Sequence, residues 1–238
     1  MIKFSLFFVF LNLFCGLLIA QDRFKTDSET HIFWQQDRRL TVKDFQGNPT
    51  QESIDLCKTK GACVTPCIGL FLRVDIPKKY RKNKLEKVYF APAFQKSCSS
   101  VVSDSNDIRD GQFVFDICEI SARIARKLLR DWHNYMAIET DSMNFYTIKA
   151  NPDTILITGI GTSLAWKAKD SAMNFYNSMR ESYVHDLYYS TQGESYDTWR
   201  ALADELLEKL SLYATKPEEC YRMIQNKPIE SEYKPADK

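Results

Sequence analysis

Apolar residues recur every three or four positions along residues 107–131. They are Phe113, Ile117, Ile120, Ile124 and Leu128. This spacing puts them on one stripe of an α-helix, so the segment predicts a helix that is buried along one side. Asp107 can cap its N-terminus, and basic residues crowd its C-terminal half, where cations favour the helix dipole.

Two further long helices are predicted after this central helix. Residues 163–189 carry apolar side chains at helical intervals, and so do residues 198–213. Phenylalanine and tyrosine are frequent in the same region. The members of this aromatic cluster are Phe175, Tyr176, Tyr183, Tyr188, Tyr189 and Tyr196. Most are expected in the core, but the surplus of tyrosines also fits an exposed binding surface.

Residues 64–77 and 87–94 are rich in β-branched and aromatic side chains and predict strands. Pro66 and Pro92 are expected at strand edges or ends, because proline cannot donate a ladder hydrogen bond. Alternation in the first strand places Leu70, Leu72, Val74 and Ile76 on a buried face and Phe71, Arg73 and Asp75 on the other. Residues 154–158 fit a short strand or a buried turn. The expected fold class is α+β, a small β-sheet packed against a central helix and two later long helices.

Residues 1–20 have the pattern of a secretory signal peptide. Lys3 precedes an almost uninterrupted apolar run over residues 4–19, and Ala20 ends it. The run is short for a membrane span, so none is expected after cleavage. Cys15 raises the alternative of a lipid anchor, although the residue before it is bulky. Periplasmic location or secretion is predicted.

The remaining chain is expected to form a single domain over residues 21–221, followed by a flexible polar tail over residues 222–238. The formal net charge of the full chain is +1. Because no arginine-rich face stands out, nucleic acid is not an expected partner.

Six cysteines follow the predicted signal peptide, an even number that favours disulfides in an oxidising compartment. The candidates for pairing are Cys57, Cys63, Cys67, Cys98 and Cys220. The first three crowd one stretch, so a local bridge is expected there. A zinc knuckle using Cys63 and Cys67 is the competing interpretation, but it lacks a second ligand pair. Cys118 lies on the central helix and is expected to act as a small buried apolar residue.

The central helix also carries a motif. Residues 110–126 read D-G-Q-F-V-F-D-I-C-E-I-S-A-R-I-A-R. They resemble the signature H-E-Q-x-H-F-D-I-A-E-x-x-A-R-x-x-R of a family of exported bacterial proteins described as predicted zinc-dependent proteases. The matching positions include Gln112, Phe115, Asp116, Ile117, Glu119, Ala122 and Arg123.

Two other segments extend this resemblance in the expected order. Residues 40–47, L-T-V-K-D-F-Q-G, are similar to the family's L-T-W-x-D-F-x-G. Residues 186–193, D-L-Y-Y-S-T-Q-G, followed by Trp199, partly match Y-D-x-E-T-x-H-G and a later Trp. There Gln192 stands where the family has His.

The zinc chemistry of that signature depends on spacing. Two His residues at i and i+4 share a metal ion on one helical face, and the Glu after the first His takes a proton from the metal-bound water. Here Asp110 and Val114 occupy the two His positions, and Gly111 occupies the Glu position. The resemblance therefore implies a zincin-like fold without catalytic residues, without metal ligands and without zinc as cofactor.

The matched Gln112, Phe115, Asp116, Glu119 and Arg123 are then interpreted as structural. The expected function is an exported, non-catalytic member of the zinc-protease-like family that binds a protein, peptide or glycan in the cell envelope. Two alternatives remain open. One is a hydrolase with an altered metal site around Asp110, and the other is a structural envelope protein.

Overall fold

A computed structural model describes residues 24–75, 87–102, 107–142 and 160–225. The predicted signal peptide, the predicted strand or turn at residues 154–158 and most of the predicted tail lie outside the described residues. The helices are α1 Gln51–Lys60, α2 Arg109–Ser142, α3 Ile160–Tyr188, α4 Tyr196–Lys209 and α5 Pro217–Ile224. The strands are β1 His31–Phe33, β2 Val64–Thr65, β3 Ile68–Asp75, β4 Lys87–Gln95 and β5 Ser100–Val101.

The strands form two small antiparallel sheets. The larger has the order β1-β4-β3, in which Ile32 pairs with Phe94 and Phe71 pairs with Ala91. The smaller joins β2 to β5. With five helices beside them, the predicted α+β class is confirmed. None of the described helices combines the length and the apolar character needed to cross a bilayer.

Strand β4 of the larger sheet is buried on both faces, because helices pack on each side of the sheet. Phe90 belongs to the core cluster that contains the buried stripe of α2. Ala91 and Ala93, which point to the opposite face, pack with Cys220 of α5. The sheet therefore has α5 on one face and α2 on the other, where α3 packs beside α2 and also contacts β3.

Small side chains contribute to the contact between α2 and α3, together with the rings of Phe113 and Tyr183, whose centroids are 4.1 Å apart. The fully buried alanines on these two helices are Ala122, Ala125, Ala165, Ala168 and Ala172. Without bulky side chains at these positions the helix backbones approach closely. The predicted helix at 107–131 is confirmed, and it continues to Ser142. The two later long helices are also confirmed, although the last one ends at Lys209 and is followed by a 3₁₀ turn at Ser211–Tyr213.

Proline 92 departs from its predicted position at a strand edge or end, because it lies inside the central strand β4. Strand β1 ends at Phe33, opposite Ala93. The carbonyl of Pro92 accepts from the Trp34 amide at 3.0 Å, so the Pro92 nitrogen also faces the side where β1 has ended. The missing donor is thus tolerated because β4 has no strand partner on that side at Pro92, although it pairs with Leu70 of β3 on the other.

Helix α1 was not predicted, because it is mostly polar and lacks an apolar stripe. Its ends carry the local signals instead. Thr50 caps the N-terminus by accepting from the Ser53 amide, and Gly61 ends the helix with a φ of 77°. A left-handed conformation of this kind favours glycine.

Two disulfides confirm the prediction of cross-links, Cys57–Cys63 and Cys67–Cys98. The first is the expected local bridge. Since Cys63 and Cys67 belong to different bridges, neither remains as a ligand for a zinc knuckle. Cys118 is free and buried, as expected.

The disulfide prediction for Cys220 is wrong, since Cys220 is a buried free thiol. It lies against the sheet face opposite α2, so the sheet separates it from Cys118. Its sulfur instead accepts from the Gln35 side-chain Nε2 at 3.2 Å. Helix α5, which carries Cys220, ends at Ile224, three residues after the predicted boundary at residue 221.

Helix α5 is held to β3 by a buried ion pair. Both carboxylate oxygens of Asp75 accept from the Arg222 guanidinium at 2.5 Å, and both side chains are buried. We expect Arg222→Met to lower the free energy of unfolding by about 3–5 kcal/mol, because it leaves the Asp75 charge buried and unpaired.

Urea unfolding of Arg222→Met and of Lys209→Met checks this expectation. Lys209 pairs with Glu205 on the exposed side of α4, so its substitution should change stability by less than about 1 kcal/mol. Equal effects of the two substitutions would contradict the role assigned to the buried pair.

Candidate functional site

The first turn of α2 carries the candidate site. Its acidic residue is Asp110, whose carboxylate accepts hydrogen bonds from two tyrosines. The Tyr183 hydroxyl donates to one oxygen of Asp110 at 2.5 Å, and the Tyr188 hydroxyl donates to the other. Burial raises the pKa of both phenols, and the hydrogen bond to Asp110 raises it further. Asp110 therefore holds the C-terminal half of α3 against the start of α2.

Gly111 is covered by the ring of Phe45. A Cβ atom added to Gly111 would lie 2.8 Å from Phe45 Cζ and 3.2 Å from Val64 Cγ1. Phe45 is itself packed against Phe94, with ring centroids 4.9 Å apart. The position that matches the general base of the family signature thus has no room for a larger side chain.

The other two positions that match zinc ligands lie in different surroundings, one buried and one exposed. Val114 is buried in the core cluster with α3. Gln192 lies on the exposed loop after α3, where its backbone N–H donates to the Ser190 hydroxyl at 3.1 Å. In the part of the chain that the structure describes, no three His, Cys, Asp or Glu side chains are grouped to hold a metal ion. The residues at these four positions do not fit zinc, because Asp110 alone offers a ligand atom that zinc prefers and tyrosines already bind it.

Asp116 is the centre of a buried hydrogen-bond network. One oxygen accepts from Trp34 Nε1 at 2.7 Å and from Gln112 Nε2 at 2.8 Å. The other accepts from Arg39 at 3.2 Å and from Arg200 at 2.7 Å. These donors come from the N-terminal segment, from α2 itself and from α4. A fully buried carboxylate with four donors acts here as a structural clamp.

Gln112 connects α2 to the segment 40–47. Its side-chain oxygen accepts from the Leu40 amide at 2.8 Å. The segment is folded locally by Asp44, which accepts from the amide and hydroxyl of Thr41 at 2.7 and 3.0 Å and pairs with Arg38. Burial opposes the charge on Asp44, but these bonds hold its pKa below the usual value. The two sequence regions that carry most of the resemblance therefore contact each other in the fold.

Glu119 is the second buried carboxylate of α2. It accepts from Arg123 at 2.7 Å and from the amide and hydroxyl of Thr215 at 2.9 and 2.5 Å. Burial raises the pKa of Glu119, against the opposing charges of Arg126 and Arg123. Arg123 also donates to the Leu207 carbonyl. Glu119 and Arg123 thus fix the chain that leaves α4.

Phe115, the remaining matched residue, packs in the second core cluster with Trp34.

The tyrosines of the aromatic cluster divide into two groups. Tyr176 and Tyr183 are buried in the core. Tyr188 and Tyr196 are half-buried, and Tyr189 is 54% exposed. Cations stack on the outer rings, with Lys60 Nζ 5.2 Å from the Tyr189 centroid and Arg109 Cζ 4.9 Å from the Tyr196 centroid. We define Tyr188, Tyr189, Tyr196, Lys60 and Arg109 as the tyrosine face, which adjoins Asp110 through the Tyr188 hydroxyl.

The loop at residues 189–195 folds tightly onto the end of α3. The amides of Tyr189 and Ser190 both donate to the His185 carbonyl at 2.9 Å. A Cβ atom on Gly193 would lie only 2.4 Å from the Asp186 carbonyl oxygen, so this close approach requires glycine. The two ends of the partly matched segment 186–193 are therefore in contact. Sequence reasoning did not foresee this loop, for which Gly193 was the local signal.

Comparisons with known proteins give no further assignment, since no protein-family model, no curated protein and no solved structure matches this chain.

Gly111→Ala tests whether Phe45 closes the helix face. A helical alanine is worth about 1 kcal/mol more than glycine, but overpacking against Phe45 and Val64 costs about 1–3 kcal/mol. We expect the substitution to destabilise the protein. In a Phe45→Leu background the ring contact is relieved, so the same substitution should become neutral or stabilising. Urea unfolding of the two single variants and the double variant measures this change of sign, and additive effects would contradict the contact.

The Asp110 cluster predicts an alkaline transition. The pKa of Tyr183 and Tyr188 is raised by burial and by Asp110, above an unfolded value of about 10. Their contribution to stability is fully present below that pH and is lost as the pH rises through the folded values. Asp110→Asn removes the negative charge, so both phenols should titrate at lower pH and the alkaline loss of stability should shrink.

Phenolate absorbance against pH, combined with urea unfolding at about pH 8 and pH 11, measures both effects. Asp197→Asn is the matched control, because Asp197 is an exposed carboxylate in the first turn of α4. A phenolate profile that Asp110→Asn leaves unchanged would contradict the assignment.

Proposed function

We propose that this protein is an exported, non-catalytic member of the zinc-protease-like family that binds a protein, peptide or glycan in the cell envelope, and that it keeps a zincin-like scaffold without zinc. The observation that carries the proposal is the filling of the helix face. Phe45 covers Gly111, and two tyrosine hydroxyls bind Asp110. Water activation by a helix-bound zinc needs an open metal position on this face.

The retained motif residues support a scaffold role. Asp116 and Glu119 are fully buried, and their oxygens are bonded to donors from distant segments. Substitution at such positions would leave buried donors without partners, so the residue type is needed for the fold even when a reaction is lost. They therefore explain why the signature persists around the altered zinc positions.

The tyrosine face supports a binding role. Tyrosine offers a large ring with few rotatable bonds and a polar tip, which suits recognition surfaces. Lys60 and Arg109 add cations to the rings of Tyr189 and Tyr196. The face lies beside Asp110, so the proposed ligand approaches the region that corresponds to the family's zinc position.

Export is supported by two independent features. Two disulfides are typical of oxidising compartments outside the cytoplasm. The apolar run over residues 4–19 has the character of a signal peptide.

Metal content tests the non-catalytic assignment. The mature protein, purified from zinc-supplemented medium, should contain far less than one zinc per chain by elemental analysis. Its melting temperature should not change when zinc, manganese or calcium is added, because the described donor set does not fit a divalent ion.

The matched variant combines Asp110→His, Val114→His and Gln192→His, which restores the family's His residues at the matched positions and leaves Gly111 under the Phe45 ring. An increase in zinc content in this variant alone would support the proposed descent. Stoichiometric zinc in the natural protein would overturn the non-catalytic assignment in favour of an altered metal hydrolase.

A further inference from the structure

A small cavity lies beside the tyrosine face at the C-terminal end of α3. Its volume is about 280 Å³, and it is lined by Arg180, Glu181, Val184, His185 and Tyr189. Sites for drug-sized ligands occupy about 300–1,000 Å³. This cavity is therefore of a size for one ring-shaped group rather than for an extended chain.

The lining combines one flat aromatic surface with charged side chains of both signs. Tyr189 remains 54% exposed even though Lys60 stacks on its ring. Arg180 brings a planar set of donors, Glu181 brings acceptors, and the exposed His185 ring brings both. Most of the surface that lines the cavity is apolar and a smaller part is polar, so it suits a ligand with one apolar face and a few polar groups.

The geometry points to a carbohydrate site, in which one pyranose ring stacks on Tyr189 while its hydroxyls bind Arg180, Glu181 and His185. This inference rests on the proposed binding role and names its ligand class. A sugar presents apolar C–H groups on one face and hydroxyls around its edge. The cavity presents the complementary pair of features, and its mixed charges disfavour a phosphate group.

Hydrogen bonds hold the turn that carries the site. The Tyr189 amide is fixed to the His185 carbonyl, and the loop that follows closes on Asp186 through Gly193. Trp199 Nε1 donates to Asp186 Oδ2 at 3.1 Å and holds the same turn from α4. Since the loop is already ordered, binding need not supply the free energy to order it.

The test is a titration of the mature protein with glucose, galactose, mannose and N-acetylglucosamine, followed by NMR of the tyrosine ring signals. At least one of these sugars should shift the Tyr189 signals, with a dissociation constant on the order of 1–10 mM. Tyr189→Ala should weaken binding at least about tenfold, whereas Tyr189→Phe should stay within about threefold because it keeps the stacking ring.

Trp166→Ala is the matched control. Trp166 is also exposed on α3 and also carries a stacked lysine, with Lys169 Nζ 5.0 Å from its ring. It precedes His185 by 19 residues, or about 28 Å along the helix, so this variant should bind sugar normally. Melting temperatures of all three variants confirm that each is folded.

Three results would overturn the carbohydrate assignment. They are no binding of any of the four sugars at about 50 mM, binding that Tyr189→Ala leaves unchanged, and Tyr189-dependent binding of the peptide tetra-alanine in their place. Zinc is measured in the same preparation. Absent sugar binding in a zinc-free protein refutes the ligand class alone, whereas stoichiometric zinc refutes the proposed function.

Discussion

The buried carboxylate of Asp116 is the interaction on which the rest of the structure depends. A buried ion without partners costs several kcal/mol, so α2 can bury this residue only when its donors arrive. Those donors are Trp34 and Arg39 from the N-terminal segment and Arg200 from α4. The central helix, the first strand region and the fourth helix are therefore obliged to fold together.

Two further carboxylates repeat this arrangement for the C-terminal part of the chain. Glu119 binds Thr215 in the chain after α4, and Asp75 binds Arg222 on α5. Each joins residues that are about a hundred or more positions apart in sequence. Apolar burial supplies most of the driving force for folding, but it is not directional. The buried carboxylates make the packing specific, because each one accepts hydrogen bonds from its partners in only one geometry.

The sequence predicted the elements that carry their own pattern of apolar residues. The helix at 107–131 followed from its apolar stripe, and the two later helices followed in the same way. Helix α1 has no such stripe, and its local signals are the N-cap Thr50 and the terminating Gly61. Asp75 fitted the polar face of a strand by alternation, yet it is buried because Arg222 covers it. A partner 147 residues away leaves no trace in a local pattern.

Part of the candidate site also follows from local spacing, and part comes from distant segments. Helical spacing correctly placed Asp110 and Val114 on one side of α2, because that follows from 3.6 residues per turn. The side chains that fill this region come from elsewhere, Phe45 from the N-terminal segment and Tyr183 and Tyr188 from α3. Asp110 also lies in the first turn of its helix, where a negative charge is favoured by the helix dipole. An aspartate that receives two tyrosine hydroxyls at a helix N-terminus stabilises the fold. Thus the position that matches a metal ligand in the family signature here joins α2 to α3 and holds the base of the tyrosine face.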